Sequence, residues 1–204
     1  MRRTAAEVLG ILRKSGLRIF RTGDIALLTR LDGPAMVKAL SRLAAQELVV
    51  KVRRGIWASR LVGDLNPYEM VPHLTAPWPS YVSLHSILSD EGVVEEVPHV
   101  VYAVTSGRPV VYRTPLGQVH VHHLPPRFLW GYSMRSAGRG AYPVADREKA
   151  FLDLVYLALS RRSPLQFPHK RGRAWRLDRK RIRDYAKRFG FPPMLRYLKN
   201  IGLY

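Results

Sequence analysis

The apolar positions of this chain keep a helical period through most of the first 48 residues, and from Val93 to Trp130 the period switches towards two. Ala5 to Lys14 predicts a first helix with Val8, Leu9, Ile11 and Leu12 apolar, stopped at Ser15-Gly16. Leu17 to Phe20 reads as a short extended link. Thr22 is placed to cap a second helix, Asp24 suits its positive N-terminal end, and Ile25, Leu27 and Leu28 supply its buried side. Thr29 to Asp32 is a turn. Gly33-Pro34 opens a third helix, because proline at the first helical position loses no useful donor and already has a helical φ. There Val37, Leu40, Ala44 and Leu48 form an apolar stripe, while Lys38, Arg42 and Ala45 fall on the other side with Ser41 at the boundary. Leu48 to Val52 and Ile56 to Ser59 are strands joined at Arg53-Arg54-Gly55. Helix, short strand, helix, turn, helix, hairpin is the order of a winged helix-turn-helix. In that fold the second helix of the motif enters the major groove and the hairpin lies beside it on the backbone.

The pattern changes at Arg60 to Asp64, where Gly63, Pro67, Pro72, Pro77 and Pro79 begin to punctuate the chain, and a domain boundary is predicted there. Asn66-Pro67-Tyr68 opens a short helix that Pro72 should end or bend. Ser83 is a candidate N-cap for a helix over Leu84 to Ser89, closed by Gly92. Val100 to Thr105, Pro109 to Arg113 and Gln118 to Leu124 read as strands of a small, largely antiparallel sheet. Gly131 to Gly140 reads as a loop and Ala141 to Ala145 as extended. Asp146 caps a strong helix whose buried stripe is Phe151, Leu154, Val155 and Ala158. Arg161 to Arg176 predicts a mobile connection. Asp178 then caps a helix lined by Ile182, Tyr185, Ala186 and Phe189, with Gly190 as its stop and a last helix over Pro192 to Leu198. The predicted class is α+β: residues 1–62 a winged helix-turn-helix, residues 63–204 a mixed domain with basic C-terminal helices from about residue 161.

Charge sharpens this outline. Of 34 Lys/Arg and 15 Asp/Glu, residues 1–60 hold 13 and 4, residues 61–160 hold 7 and 9, and residues 161–204 hold 14 and 2. Two basic ends around a neutral centre predict a polyanion gripped at two places, because solubility alone needs no such clustering. Without cysteine there are no disulfides or thiolate metal sites. No run is apolar and long enough to span a bilayer, and the N-terminus lacks a signal-peptide core, so a soluble cytoplasmic protein is expected, with no membrane partner.

Three segments of the middle region carry a family resemblance: YVSLHSILSDEGVVEEVP (81–98), VHVHHLPPRFLWG (119–131) and VADREKAFLDLVYLA (144–158). Taken in this order behind a winged helix, they resemble the AbiEi family, over roughly residues 1–160. These are antitoxins and transcriptional repressors of type IV toxin–antitoxin and phage-defence systems. The resemblance implies a DNA-binding N-terminal domain that recognises inverted repeats in its own promoter and represses it. It implies a C-terminal domain that counteracts a nucleotidyltransferase-type toxin without a stable complex. It implies no catalytic residue and no cofactor.

The candidate DNA contacts are Lys38, Ser41 and Arg42 on the recognition helix, with Arg42 suited to a bidentate guanine contact, and Lys51, Arg53 and Arg54 on the hairpin. A solvated helix face and an ordinary charged hairpin tip are the plain alternatives. Trp57 is expected to pack the hairpin onto the core. A second basic surface comprises Lys170, Arg171, Arg173, Arg176, Arg179, Lys180, Arg183 and Lys187; DNA, RNA and an acidic protein all remain open as its partner, and a solvated tail is its plain alternative. His120 and His122 share a strand face, but a zinc site lacks a third ligand at suggestive spacing. Asp146 and Glu148 are explained by the helix start, Lys149 and Asp153 by a surface ion pair four residues apart. No Ser/His/Asp set, phosphate-cradling loop or dinucleotide fingerprint is present, so no enzyme is predicted. A nuclease targeted by the winged helix and a toxin-less regulator with a ligand- or protein-binding domain stand as the other two hypotheses.

Overall fold

A computed structural model describes residues 3–137, 140–160, 163–172 and 174–204. The first elements are α1 (Arg3–Ser15), β1 (Ile19–Arg21), α2 (Thr22–Thr29), α3 (Gly33–Ala45), β2 (Val49–Arg53) and β3 (Ile56–Ser59), the strands forming an antiparallel sheet of order β1-β3-β2. This sheet is a wall with two apolar faces. Phe20, Val49 and Trp57 pack against Val8, Leu12 and Met36 of the helices, whereas Ile19, Val52, Ile56 and Ala58 join the core of the rest of the chain.

Three predicted details of this region differ. Thr22 does not cap α2: the Arg21 amide donates to the Asp24 carboxylate at 2.8 Å, and the Thr22 hydroxyl instead accepts from Trp57 Nε1 at 2.9 Å. Leu27 and Leu28 are 85% and 57% exposed, leaving Ile25 as the buried residue of that trio. On α3 the buried side is Met36, Ala39, Leu40 and Leu43, with Val37 46% exposed. At 100° per residue this turns the helix by roughly 90° from the predicted stripe. The two stripes share Leu40, and the long side chains of Met36 and Leu43, worth about 1.5–3 kcal/mol each on burial, decide the phase over Ala44 and the helix-end Leu48. The start of α3 at Gly33-Pro34 is as predicted, with Pro34 in the first turn; its cap is Asp32, read from the sequence only as part of the turn, whose carboxylate accepts from the Ala35 amide at 2.7 Å.

A short 3-10 turn at Pro67–Glu69 leads into α4 (Met70–Thr75). Pro72 neither ends nor displaces α4, because it falls in the opening turn, where an amide has no intrahelical acceptor. There follow β4 (Ser80–Val82), α5 (His85–Asp90), β5 (Val101–Thr105), β6 (Val110–Thr114), β7 (Gly117–His123), β8 (Tyr132–Ala137) and β9 (Gly140–Ala145). They build one six-stranded sheet, order β6-β7-β5-β4-β9-β8, with β5–β7 and β4–β9 parallel and the other neighbours antiparallel. The sheet is thus larger and more mixed than predicted, and 131–140 is largely strand rather than loop. β8 reads as a loop because Gly131, Ser133, Ser136, Gly138 and Gly140 crowd the segment, and its alternating Tyr132 and Met134 are too few to outweigh them. Ser83 is not the cap of α5; its hydroxyl donates to Asp153.

The faces of this sheet have different occupants. Tyr81 points toward α6 (Arg147–Leu159), where its hydroxyl meets Lys149 and Asp153. Val82, one residue on, faces the opposite way with Ala103, Val121 and Val110, its register partners across the sheet, and Tyr112, two residues on from Val110, shares that face. The second face carries α4, through Thr75 to Ser80 and Thr114 to Met70, and the tip of the β2–β3 hairpin, through Arg53 on Tyr112. Helices therefore cover one face and the N-terminal unit covers the other.

α6 is buried nearly all round, and its Lys149–Asp153 pair is not on the surface: both side chains have zero exposure. Between 163 and 178 the described residues form no helix or named strand but are anchored, with Phe167 stacked on Tyr197 at 4.5 Å, Trp175 against Phe151 at 4.9 Å, and a bridge from Lys170 to Val94. The anchors are aromatic residues interspersed among arginines, which composition alone reads as a linker. α7 (Arg179–Phe189) starts where Asp178 accepts from the Lys180 and Arg181 amides and stops at Gly190, whose φ of +58° suits glycine; α8 (Pro192–Asn200) follows.

Candidate nucleic-acid interface

The side of α3 opposite its core presents Lys38 and Ser41 exposed and Arg42 half-buried. These are the predicted contact residues, and spacing of three and four brings them onto one face. The turned phase adds Val37 at the edge of this face. Sequence reasoning missed it, since an apolar residue at helical spacing reads as core. On the hairpin Lys51, Arg53 and Arg54 are exposed, and Gly55 takes a φ of +78° at the tip. The structure separates them somewhat. Lys51 lies 5.8 Å from the Trp57 ring, and Arg53 is drawn 5.0 Å over Tyr112 toward the six-stranded sheet. Arg54 makes neither contact. Trp57 itself is buried against the helices, as predicted.

Neither Lys38, Arg42, Lys51, Arg53 nor Arg54 has an ion-pair partner among the described residues, and the same holds for Arg179, Lys180, Arg183 and Lys187 of α7. Buried acidic residues elsewhere are neutralised locally: Glu69 by Arg18, Glu148 by Arg147 and Arg181, Asp153 by Lys149. The cationic residues of α3 and the hairpin are therefore left without an ion-pair partner among the described residues.

The second basic set splits in two. Arg171 and Arg176 approach Gly92 at the end of α5, while Arg179, Lys180, Arg183 and Lys187 lie along exposed α7, on the face of the large sheet opposite the hairpin. Arg173 lies outside the described residues.

His120 and His122 share a strand face with Tyr102, whose ring also meets His85 at 5.3 Å; His123 faces away, its Nδ1 donating to the Gly107 carbonyl. Among the described residues no group of three or more His, Asp or Glu side chains has the arrangement of a metal site. His122 is held down to about 4 by burial and by the neighbouring His120 and His85, and its Nε2 has no protein partner. The unfolded chain takes up a proton near 6.5 that the folded protein refuses until about pH 4. Stability attributable to this residue therefore falls as pH drops through that window, by up to about 3 kcal/mol. Urea unfolding at several pH values should show the acid limb flattened in His122→Gln.

Comparison with known proteins yields little. No family model matches the chain, and no curated protein does. Among solved structures it is similar to the RV2827C protein from Mycobacterium tuberculosis, at 15% identity and a TM-score of 0.42, with 81% of this chain covered. The chain spans 57% of the length of that protein. Among the described residues no helix is long and apolar enough to cross a membrane.

Proposed function

We propose that this is a sequence-specific duplex-DNA-binding transcriptional regulator, a cytoplasmic repressor of the AbiEi type, whose N-terminal unit acts as a winged helix. The observation that carries the DNA-binding part is the unneutralised cationic face of α3 beside the β2–β3 hairpin, each element held on its own core by buried apolar residues. α3 enters the major groove, with Arg42 as a fork for guanine O6 and N7, Lys38 on phosphate or base, and Ser41 on either. Val37 supplies an apolar contact for a thymine methyl. Lys51 and Arg54 clamp the flanking phosphates, and Arg53 does so from its seat on Tyr112. α7, on the other side of the large sheet, makes a separate polyanion contact. The remainder of the proposal, autoregulation at inverted repeats and opposition to a nucleotidyltransferase-type toxin without a stable complex, follows from the sequence resemblance, with no catalytic residue or cofactor required.

Arg42→Ala should cost about 1–3 kcal/mol at one base pair and relax specificity there. Arg54→Ala should instead weaken binding to all sequences and reduce the salt slope by about one. Titrations of operator variants at several salt concentrations separate the two. Equal loss on every duplex for Arg42→Ala would remove its base-reading role.

A further inference from the structure

Between the hairpin tip and the edge of the six-stranded sheet lies a cleft of about 640 Å³. Its walls include Arg53, Trp78, Arg108, Tyr112 and His123, and no carboxylate among the described residues lines it. We propose that this cleft binds an unpaired nucleotide of a single-stranded nucleic acid, with Trp78 as the stacking face and Arg53 and Arg108 on the phosphates.

Trp78 is 57% exposed, yet it is held in place. Its ring lies against Gly107 so closely that a Cβ there would fall 2.6 Å from Cδ1 and 2.7 Å from Cγ, so only glycine fits beneath it. The turn under the indole is tied at three points: Thr105 Oγ1 donates to the Pro79 carbonyl at 2.8 Å, the Gly107 amide donates to Thr105 Oγ1 at 3.2 Å, and His123 Nδ1 donates to the Gly107 carbonyl at 2.8 Å. A large aromatic surface is thus presented to solvent on a braced turn. With Nδ1 committed to a carbonyl, His123 keeps Nε2 for a ligand. Arg53 stands 5.0 Å over Tyr112, which fixes its guanidinium at the cleft wall.

The chemistry of these groups selects the ligand. An exposed indole stacks on any base, sequence-tolerantly, for about 1–3 kcal/mol, and arginines beside it take the backbone charge. Bases within a duplex are already stacked on one another, so only an unpaired base can offer its face to Trp78. The volume falls within the range of about 300–1,000 Å³ typical of small-ligand pockets and suits one or two nucleotides. The site shares Arg53 with the hairpin's proposed duplex contact, but it is otherwise distinct from the outward face of α3 and does not depend on that face reading an operator.

The test compares labelled single strands of about 12 nucleotides, one oligo-dT and one oligo-rU, with a blunt duplex, by anisotropy at about 150 mM salt. Trp78→Ala should bind both single strands about tenfold more weakly than the native protein while its duplex affinity stays unchanged. Trp78→Phe should recover most of the loss, and Arg108→Ala should reduce the salt slope by about one on single strands only. Thermal midpoints close to native confirm that each variant is folded, as exposure of both side chains leads one to expect. Preference for dT or rU identifies the natural strand. The proposal is overturned if the native protein fails to bind either single strand, if Trp78→Ala binds them as tightly as native, or if it loses duplex binding equally. Lys38→Ala/Arg42→Ala, which tests the duplex proposal, should leave single-strand binding intact, so the two can fail separately.

Discussion

Asp153→Ala is expected to lower the unfolding free energy by about 3–5 kcal/mol, among the largest effects of any single substitution in this chain. The Asp153 carboxylate has no exposure; it pairs with Lys149 and accepts hydrogen bonds from Tyr81 at 3.0 Å and Ser83 at 2.9 Å. The Lys149 ammonium also donates to the Tyr81 hydroxyl at 2.8 Å and lies 4.9 Å from the rings of Trp130 and Phe189. Removing the carboxylate strands an ammonium in that aromatic enclosure and leaves two hydroxyls without an acceptor. Lys149→Met with Asp153→Asn removes both charges and keeps an amide for Tyr81 and Ser83, so it should recover most of the loss in urea unfolding. Recovery by neither partner's replacement would show that packing, not charge, holds this junction.

The same pair gives a pH signature. Burial raises the Asp153 pKa, against the lowering effect of Lys149 and the hydrogen bonds from Ser83 and Tyr81. In Lys149→Met the ammonium's lowering effect is gone, so the folded state holds on Asp153 a proton that the unfolded chain releases. A raised folded-state pKa stabilises below the unfolded value and loses that contribution as pH rises through the folded one. Lys149→Met should therefore be more stable near pH 4 than near pH 7, relative to the native protein.

Glu69→Ala is expected to cost about 3 kcal/mol or more, for a related reason at a different joint. Arg18, 8% exposed, forks onto Glu69 with Nε to Oε2 at 2.7 Å and Nη2 to Oε1 at 3.0 Å, and gives its remaining donors to the carbonyls of Val62 and Asp64. Glu69 Oε1 also accepts from the Asn66 amide at 3.0 Å. Gly140 passes so close that a Cβ there would collide with the Glu69 carboxylate. One ion pair thus ties the start of β1 to the linker after β3 and the turn before α4, with the first residue of β9 passing close beside it. Hydrogen exchange in Glu69→Ala should rise chiefly in β1, β3 and residues 60–66. Uniform acceleration across the chain would show instead that the pair acts on global stability alone.

How legible all this was in the sequence depended on whether periodicity and burial coincide. α1, α3, the basic-tipped hairpin, α6 and α7 have strong starts or stops, such as Gly16, Pro34, Asp146, Asp178 and Gly190, and local chemistry sufficed to find them. β8 was missed because glycines and serines crowd the segment and outweigh its alternating Tyr132 and Met134. The phase of α3 was missed because two apolar stripes were available and only tertiary contact with α1 and β1 chooses between them. Lys149 and Asp153 looked like a surface pair because four-residue spacing of opposite charges is the same inside and outside a protein. What separates the cases is Tyr81, sixty-eight residues away from Lys149, and no local pattern contains it. The residues proposed to contact DNA on α3 and the hairpin are legible as charge on an outward face; the Trp78 cleft is not, since its parts come from four separate segments.

The central claim is that α3 reads a specific duplex. The most direct measurement is binding to a labelled duplex from the protein's own upstream region against a scrambled duplex, from about 50 to 200 mM salt. The account predicts a preference for the native duplex that survives the higher salt and is lost in Arg42→Ala. Equal affinity for both duplexes, vanishing together as salt rises, would contradict it.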